Sequence, residues 1–355
     1  MRELALKNFW EKLGGQFGTL GSGQCAVSFG DERAEYAAIR ESVALCDVSF
    51  AQTIEFSEAE GIDFLDTVLA ANILKLRYGR IIDTFLASPD GKIAAEAFVA
   101  NIDDKVFAVL ESLDDGAAKP LIDGGGRDVS AEYVSLSVDG PKAREVAQDI
   151  FGTDIFNLPF PSVEKYGFDS APAYLMRCGK TGEFGYTFIV PTAKAEAMAQ
   201  KLLESVGRFG GRVCGTAARA VAEMESGFFN VYAEGAEVGD PIALSLQWQA
   251  DFSKESFAGF ENISKSRADG AKSVITAVAG SGVAKGAKVY DGANEIGRVV
   301  CAAFSPSQNG NIGLTLIDPE CAYPSLELSS QPDGESDIFT VSRPTVVSKS
   351  LTEQA

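Results

Sequence analysis

The most informative segment of this chain is Thr181-Gly182-Glu183-Phe184-Gly185-Tyr186. Residues 174–177 and 186–190 on either side have the pattern of β-strands, so the segment is predicted to be a glycine-rich turn. Further along, Gly215-Thr216-Ala217-Ala218-Arg219 places an arginine near the start of a predicted helix. A carboxylate and a guanidinium within otherwise apolar sequence are typical of a ligand site, which makes Glu183 and Arg219 candidate binding residues.

The patterns around this turn predict an α+β fold. Strands and helices are both present but do not alternate strictly, which disfavours a parallel doubly wound sheet. A meander of short strands with tight turns is predicted across residues 84–110. The remaining predicted strands are residues 52–56, 133–138, 174–177 and 186–190, and the predicted helices are residues 31–40, 61–71 and 192–207.

The polar segment Ser264-Lys265-Ser266-Arg267-Ala268-Asp269-Gly270 predicts a domain boundary. Beyond it, short β-like segments are interrupted by glycine and proline, which predicts a small C-terminal β-barrel or sandwich. We therefore expect two units, residues 1–265 with two subdomains and residues 266–350. The polar tail at residues 346–355 is expected to fray.

Composition restricts the possible partners and compartments. The formal net charge of -19 over 355 residues disfavours nucleic acid and anionic membrane surfaces, because like charges raise the energy of approach. No apolar run is long enough to span a bilayer and none resembles a signal peptide, so a cytoplasmic protein is expected. The 6 cysteines are scattered without a Cys-x-x-Cys pair, which predicts reduced, buried thiols and no metal site.

The chain contains no histidine. This absence excludes the Ser–His–Asp and Cys–His mechanisms and the zinc sites that contain histidine. Catalysis by carboxylates, by positioning or by a bound cofactor remains. Glu183 in its turn suits a planar heterocycle with two adjacent N–H donors, because a carboxylate can accept both. The alternatives are a solvent-facing turn glutamate and, for Arg219, an ion pair with one of the many acids.

Several motifs resemble those of the folate-binding aminomethyltransferases, the family of the glycine cleavage T-protein. The segment at residues 181–186 is similar to the family's Thr-Gly-Glu-Asp-Gly-Tyr, and residues 215–227 resemble Gly-Leu-x-Ala-Arg-Asp-x-Leu-Arg-Leu-Glu-Ala-Gly. The likeness covers nearly the whole chain. Further matches, in the family's order, are Glu35 with Arg40, Cys46-Asp47-Val48-Ser49, Gly140-Pro141-Lys142-Ala143, Pro241 with Leu246 and Trp248, Phe257 with Gly259, Ile296-Gly297, Phe304-Ser305-Pro306 and Ile312-Gly313.

The resemblance implies α+β subdomains in a ring around a central cleft that binds tetrahydrofolate, with a C-terminal β-barrel closing it. It implies that Glu183 holds the pterin amino group and ring N–H, and that Arg219 lies along the folate. Tyr186 of the same motif is a third cofactor-binding candidate. The family moves a one-carbon unit to or from a folate nitrogen, so the protein contributes mainly positioning and electrostatics.

Three positions depart from the family pattern. The family has Ile-x-Asp-Asp after a glycine turn, where this chain has Ile93-Ala94-Ala95-Glu96. Asp83 replaces a tyrosine and Glu111 an asparagine. Because clustered acids raise one another's pKa, a cationic substrate would relieve their repulsion. We therefore predict that Glu96, Asp83 and Glu111 are the catalytic, donor-binding residues and that the donor is a small cation such as a methylated amine or sulfonium. The alternative is three solvent-facing strand carboxylates.

The expected function is a tetrahydrofolate-dependent methyl or aminomethyl transferase, acting on a small methylated donor. A carrier or corrinoid protein is a further candidate partner. One alternative is the glycine-cleavage aminomethyltransferase acting on a lipoyl carrier protein. Another is a non-catalytic folate-binding protein that assists iron–sulfur assembly, a branch marked by Lys-Gly-Cys-x-x-Gly-Gln-Glu, which residues 218–227 lack.

Overall fold

The computed structural model describes residues 2–152 and 155–352. Its helices are α1 (Lys7–Lys12), α2 (Glu32–Glu41), α3 (Glu58–Val68), α4 (Lys119–Asp123), α5 (Ala143–Phe151), α6 (Ala195–Arg208), α7 (Thr216–Ser226), α8 (Ala236–Val238), α9 (Phe260–Asp269) and α10 (Lys349–Thr352). Its strands up to the barrel are β1 (Gln16–Leu20), β2 (Gly23–Ser28), β3 (Ala44–Asp47), β4 (Gln52–Ser57), β5 (Ile81–Ala87), β6 (Ile93–Ile102), β7 (Lys105–Ser112), β8 (Arg127–Asp128), β9 (Tyr133–Asp139), β10 (Ser162–Phe168), β11 (Ala171–Arg177), β12 (Gly185–Pro191) and β13 (Arg212–Val213). The barrel strands are β14 (Val274–Ala279), β15 (Lys288–Asp291), β16 (Asn294–Ser305), β17 (Gly310–Ile317), β18 (Glu327–Leu328) and β19 (Ile338–Val341).

The predicted α+β class is confirmed. One sheet has the strand order β10-β11-β12-β9-β3-β13 and a second has β5-β6-β7-β4-β8. Helices α5 and α6 cover the outer face of the first sheet, and α3 packs on the second. The two sheets also share an apolar cluster in which Phe107 meets Tyr174 and Ile189. The cleft residues described below therefore lie between two sheets that are packed against each other.

The C-terminal strands form a third sheet in the order β15-β16-β17-β14-β19-β18. A bridge between Tyr290 and Ser329 draws its two ends together, so the sheet is a nearly closed barrel. Barrel residues such as Ile275 and Leu314 share a buried cluster with Phe85 and Ile93 of the meander. The barrel is thus packed directly against the strands that carry the predicted acids.

The meander forms as predicted, with β5, β6 and β7 pairing antiparallel. The β6–β7 turn has Asp103 and Asp104 at φ 61° and 58°, the left-handed pair that a tight hairpin requires. This turn fixes a register in which Glu96 lies directly opposite Glu111. The sequence therefore brings two of the predicted acids together through the turn chemistry alone.

Helix α2 connects the family motifs. Its Asp31 cap accepts the Ala34 N–H at 3.0 Å, as the prediction of a helix from this position requires. The fully buried Glu35 accepts the Gly215 N–H at 2.8 Å, and Arg40 donates to the Thr181 carbonyl at 2.6 Å. These contacts attach both the glycine-rich turn and the start of α7 to helix α2.

Buried Glu225 then fastens the barrel to this assembly. Its Oε2 accepts from Arg40 Nη2 at 2.7 Å and its Oε1 from Ser305 Oγ at 2.6 Å. Tyr36 Oη lies 2.8 Å from the same carboxylate. Glu225 is therefore shared by α2, α7 and β16, which fixes how the barrel closes the cleft.

Two segments of the C-terminal half that were expected to be irregular contain helices. The polar segment predicted as a boundary is helical up to Asp269, because α9 buries Ile263 while its polar residues face outward. The division at residue 265 thus falls within a helix, and the two-unit boundary stays a prediction. The tail predicted to fray is wrong for its described part, since α10 forms and Ser348 and Ser350 are buried.

Gly185 is required by a close backbone approach at the start of β12. A Cβ at this position would lie 2.3 Å from Gly179 Cα and 2.7 Å from Asp139 Oδ1. We expect Gly185→Ala to lower the free energy of unfolding by about 1–3 kcal/mol, the usual effect of overpacking a buried site. Chemical denaturation measures this change. Gly167→Ala in β10, where the added Cβ meets nothing within 4 Å, is the control, and equal losses in both variants would contradict the explanation.

Candidate active site

Two cavities are lined in part by acidic residues of the meander strands. The barrel-side cavity, about 200 Å³, is defined here by Asp83, Glu96, Glu234, Trp248, Gln249 and Arg343. The helix-side cavity, about 290 Å³, is defined by Phe50, Glu111, Arg219, Glu223, Asn230 and Tyr232. Glu96 and Glu111 are cross-strand partners, so the two cavities adjoin the same pair of carboxylates.

A buried lysine joins these two carboxylates. Lys180 Nζ lies 2.6 Å from Glu96 Oε2 and 3.4 Å from Glu111 Oε2, and the lysine is 1% exposed. Glu96 and Glu111 are themselves buried, so the alternative of solvent-facing strand carboxylates does not hold for them. Lys180 was not among the predicted site residues, although it directly precedes the glycine-rich turn. The acids that it contacts lie 84 and 69 residues earlier in the chain, so no local pattern indicated the contact.

Burial dominates the electrostatics of this cluster. It raises the pKa of Asp83 to about 6, against the attraction of Lys180. It also raises the pKa of Glu96 well above its ordinary value, again opposed by Lys180. Burial disfavours the charge on Lys180 too, but Glu111 and Glu96 outweigh this effect and keep the lysine protonated. Asp83 and Glu111 add to the rise in the pKa of Glu96, because like charges nearby disfavour its ionised form.

Arg219 lines the helix-side cavity together with Glu111, and its role in binding a cofactor stays a prediction. It is 8% exposed, and its Nη2 lies 3.3 Å from Glu223 Oε1 one turn along α7. Within the described ranges, neither Arg219 Nε nor Glu223 Oε1 has a hydrogen-bond partner. Glu223 Oε2 accepts from Asn230 Nδ2 at 2.9 Å. Unsatisfied buried donors and acceptors beside a cavity indicate a place for a polar ligand.

The structure places the carboxylate of Glu183 against the C-terminal tail, and its role in binding a cofactor stays a prediction. Its carboxylate accepts from Ser348 Oγ at 2.9 Å, from the Ser350 N–H at 2.8 Å and from Ser350 Oγ at 2.6 Å. Arg40 Nη1 lies 3.5 Å away on the same carboxylate. The C-terminal tail thus donates hydrogen bonds to the carboxylate oxygens that were expected to accept them from a pterin. In this conformation Glu183 holds the tail.

Tyr186 also does not face the cleft. Strand β12 alternates, and Tyr186 joins Phe188 in the core beneath α5 and α6. The cleft side of the strand instead carries Thr187 and Ile189, which line a small cavity of about 40 Å³ beside Lys180 and Arg219. Side chains alternate between the two faces of a strand. Counting back from Thr187 in this alternation places Glu183 and Tyr186 on opposite faces, so the sequence already indicated that the two do not both face the cleft.

The described ranges contain no group of three or more acidic or cysteine side chains placed to hold a metal ion. All six cysteines are free thiols, of which four are buried as predicted, whereas Cys178 and Cys321 are only partly buried. Of the helices described, none combines the length and the apolar character needed to cross a membrane.

The fold and the cavity define a class of protein, and comparison with known proteins identifies the family. The overall fold is that of the glycine cleavage system aminomethyltransferase T from Bartonella henselae, with a TM-score of 0.84 at 21% identity, covering 97% of this chain and 98% of that one. The family described as "GCVT N-terminal domain" matches residues 6–254, well over half of the chain. The chain belongs to this family, and the predicted membership is confirmed.

Curated relatives that match most of this chain are named aminomethyltransferases. An aminomethyltransferase from Thermoanaerobacter sp. (strain X514) is 25% identical over 337 residues, which is 91% of each chain. One from Bacillus subtilis (strain 168) is 25% identical over 339 residues, covering 90% of this chain and 92% of the relative. These relatives are transferases, in agreement with the enzyme class predicted from the sequence.

Proposed function

We propose that this chain is a transferase that moves a one-carbon unit, methyl or aminomethyl, from a small donor to tetrahydrofolate. The observation that carries the proposal is the pair of cavities that adjoin the Glu96–Lys180–Glu111 cluster. A transfer reaction needs donor and acceptor held side by side, and two cavities with a common buried boundary provide this arrangement. The family membership and the names of the curated relatives support it.

The helix-side cavity fits the folate heterocycle better than the turn at Glu183 does. Phe50 and Tyr232 supply apolar and aromatic surface for a planar ring. Glu223 Oε1 can accept an N–H, and Arg219 Nε can donate to a ring acceptor. We propose that Glu223 binds the pterin amino group and ring N–H, the role first expected of Glu183, and that Arg219 keeps its expected place along the folate. Bound tetrahydrofolate would supply the nucleophilic nitrogen that accepts the one-carbon unit.

The barrel-side cavity is proposed to hold the donor. Asp83 and Glu96 line it, and an ammonium or sulfonium group would be attracted to their carboxyl groups. Lys180 contacts Glu96 and partly offsets the negative charge of its carboxylate. The lysine therefore already reduces the repulsion among the acids that a cationic donor was expected to relieve. The chain's own contribution is to orient the two reactants, exclude bulk water and hold protons on the buried carboxyls.

Aminomethyl transfer from a lipoyl carrier protein is the second candidate. An open groove beside Asp83 favours it, because Lys75, Arg77 and Arg80 line this groove together with Trp248. Trp248 and Asp83 also line the barrel-side cavity, so the groove leads into it. Such a local group of cations would attract an anionic carrier despite the net charge of -19.

Calorimetric titration with tetrahydrofolate tests the proposal. The parent chain is expected to bind, and Glu223→Gln to weaken binding by about 1.5 kcal/mol, roughly tenfold, through loss of a charge-assisted hydrogen bond. Glu183→Gln is the comparison variant, and its affinity should equal that of the parent although its stability is lower. An absence of binding by the parent would overturn the proposal. Weaker binding in Glu183→Gln alone would return the pterin to the glycine-rich turn.

A further inference from the structure

One short segment of the chain contributes to the walls of both cavities. Asn230 and Tyr232 line the helix-side cavity, whereas Phe229 and Glu234 line the barrel-side cavity. Residues Val231–Gly235 of this segment form a single π-helical turn. Such turns are rare in proteins and occur frequently at functional sites. The segment therefore links the cavities proposed for folate and for the donor.

Asn230 makes hydrogen bonds to a carboxylate of each cavity. Its Nδ2 donates to Glu223 Oε2 at 2.9 Å, and Glu223 lines the helix-side cavity. Its backbone N–H donates to Glu234 Oε1, also at 2.9 Å, and Glu234 lines the barrel-side cavity. Its Oδ1 accepts the N–H of Tyr232 at 2.9 Å and so caps the π-helical turn. The two carboxylates are thus held by one residue.

The side chain at position 230 has to supply a donor and an acceptor at once. The amide of asparagine does so, because its oxygen accepts the N–H of Tyr232 while its nitrogen donates to Glu223. An ionised aspartate has the same shape but offers only acceptors. Asparagine therefore fits both contacts, and an exchange to aspartate removes one of them selectively.

The contact from Asn230 restricts how the Glu223 carboxylate can rotate. Glu223 is 3% exposed, and burial raises the pKa of its carboxyl. Its charged neighbours are two cations, which oppose this rise, and two acids, which add to it: Arg219, Lys180, Glu111 and Asp139. Oε2 accepts from Asn230, whereas Oε1 has no hydrogen-bond partner among the residues that the structure describes. Asn230 therefore leaves Oε1 as the oxygen that a ligand N–H can reach.

We propose that Asn230 is a positioning residue for the transfer reaction. Its side chain orients Glu223 for the folate ring, and its backbone N–H holds Glu234 in the wall of the donor cavity. This inference rests on the proposed function, which places folate in the helix-side cavity. It adds that one turn of the chain positions a carboxylate for each reactant, so that the separation of the two reactants depends on one element.

Calorimetric titration of Asn230→Asp with tetrahydrofolate tests the proposal. The substitution keeps the oxygen that caps the π-helical turn but replaces the donor to Glu223 with a second carboxylate. At about pH 8.5 the two carboxylates repel each other, so the affinity should fall about tenfold relative to the parent. At about pH 5.5 the pair retains a proton, and the protonated oxygen can donate to Glu223 as Nδ2 did. The affinity at the lower pH should then lie within about threefold of the parent's at that pH.

Asn101→Asp is the matched control. Asn101 Nδ2 donates to Glu58 Oε1 at 2.8 Å, a contact of the same kind, but both residues lie outside the linings of the two cavities. Its tetrahydrofolate affinity should equal that of the parent at both pH values. The double variant Glu223→Gln with Asn230→Asp exchanges the amide and the carboxylate. Its stability should be close to the parent's, whereas its affinity should stay about tenfold lower at both pH values, because position 223 no longer carries the carboxylate.

Circular dichroism establishes that each variant folds, and the double variant provides the test if Asn230→Asp does not fold. The inference is overturned if Asn230→Asp binds tetrahydrofolate like the parent at both pH values, or if its loss is equal at both. Parent-like affinity in the double variant also overturns it, because the hydrogen bond alone would then be sufficient. An absence of binding by the parent refutes the folate-dependent transfer together with this inference, whereas binding by the parent without the pH-dependent loss refutes only the role of Asn230.

Discussion

Lys180→Met is expected to lower the free energy of unfolding by about 3–5 kcal/mol at neutral pH, the usual result of removing one partner from a buried ion pair. Lys180 Nζ is the cation nearest to Glu96 and Glu111, at 2.6 and 3.4 Å, and all three side chains are buried. Methionine preserves the apolar volume but removes the ammonium that lies against both carboxylates, and Arg219 then remains as a cation that interacts with Glu111. Chemical denaturation at pH 7 measures the loss.

The size of this loss should depend on pH. Asp83 and Glu96 have folded-state pKa values above their ordinary values because of burial, and removing Lys180 raises them further. A carboxyl whose pKa is raised on folding contributes stability below its unfolded pKa, and this stability disappears as pH rises through the folded pKa. Since the pKa of Asp83 is about 6 even with Lys180 present, Lys180→Met should be less destabilising near pH 5 than near pH 8.

A surface lysine provides the control for this experiment. Lys119 pairs with Asp123 at 2.6 Å, but both side chains are largely exposed. Lys119→Met should therefore change stability little at either pH, because solvent screens such pairs. If Lys180→Met behaves like Lys119→Met, or if its effect is the same at both pH values, the buried cluster does not have the charges assigned to it.

Truncation after Val347 is expected to cost about 3 kcal/mol of folding free energy. It removes the Ser348 and Ser350 groups that donate to Glu183, which leaves a buried carboxylate with Arg40 alone at 3.5 Å. Some water would reach the exposed carboxylate and moderate the loss. The midpoint and slope of guanidinium denaturation measure the change.

A shorter truncation, after Ser350, keeps all three of these hydrogen bonds and serves as the control. It should unfold close to the full chain, because Leu351 is 81% exposed and contributes little burial. Equal destabilisation by both truncations would show that the tail acts through some contact other than Glu183.

Sequence patterns predicted the local structure well where the physical cause is local. The turn at Asp103 and Asp104 fixes the β6–β7 register, so the meeting of Glu96 and Glu111 could be inferred from that stretch alone. The strand and helix boundaries around α2 follow from the Asp31 cap in the same way. The family motifs then identified the barrel and the site helix α7.

What the sequence could not show depends on contacts between distant segments. Glu183 was assigned to a cofactor because its partners, 165 and 167 residues further along, have no local signal. Lys180 was not predicted for the same reason, because only packing brings it to Glu96 and Glu111 of the meander. Tyr186 is different, since strand alternation was sufficient to place it on the core side.

The contact between Glu183 and the tail also bears on the order of events at the ribosome. Translation proceeds at roughly 5–20 residues per second, so the partners of Glu183, 165 residues away, are made about 8–33 s after it. During that interval the glycine-rich turn can have its strands and Arg40 but not its final hydrogen bonds. The nascent chain can therefore form both sheets early. The tail segment that donates the last hydrogen bonds to Glu183 is made only after the barrel has been synthesised.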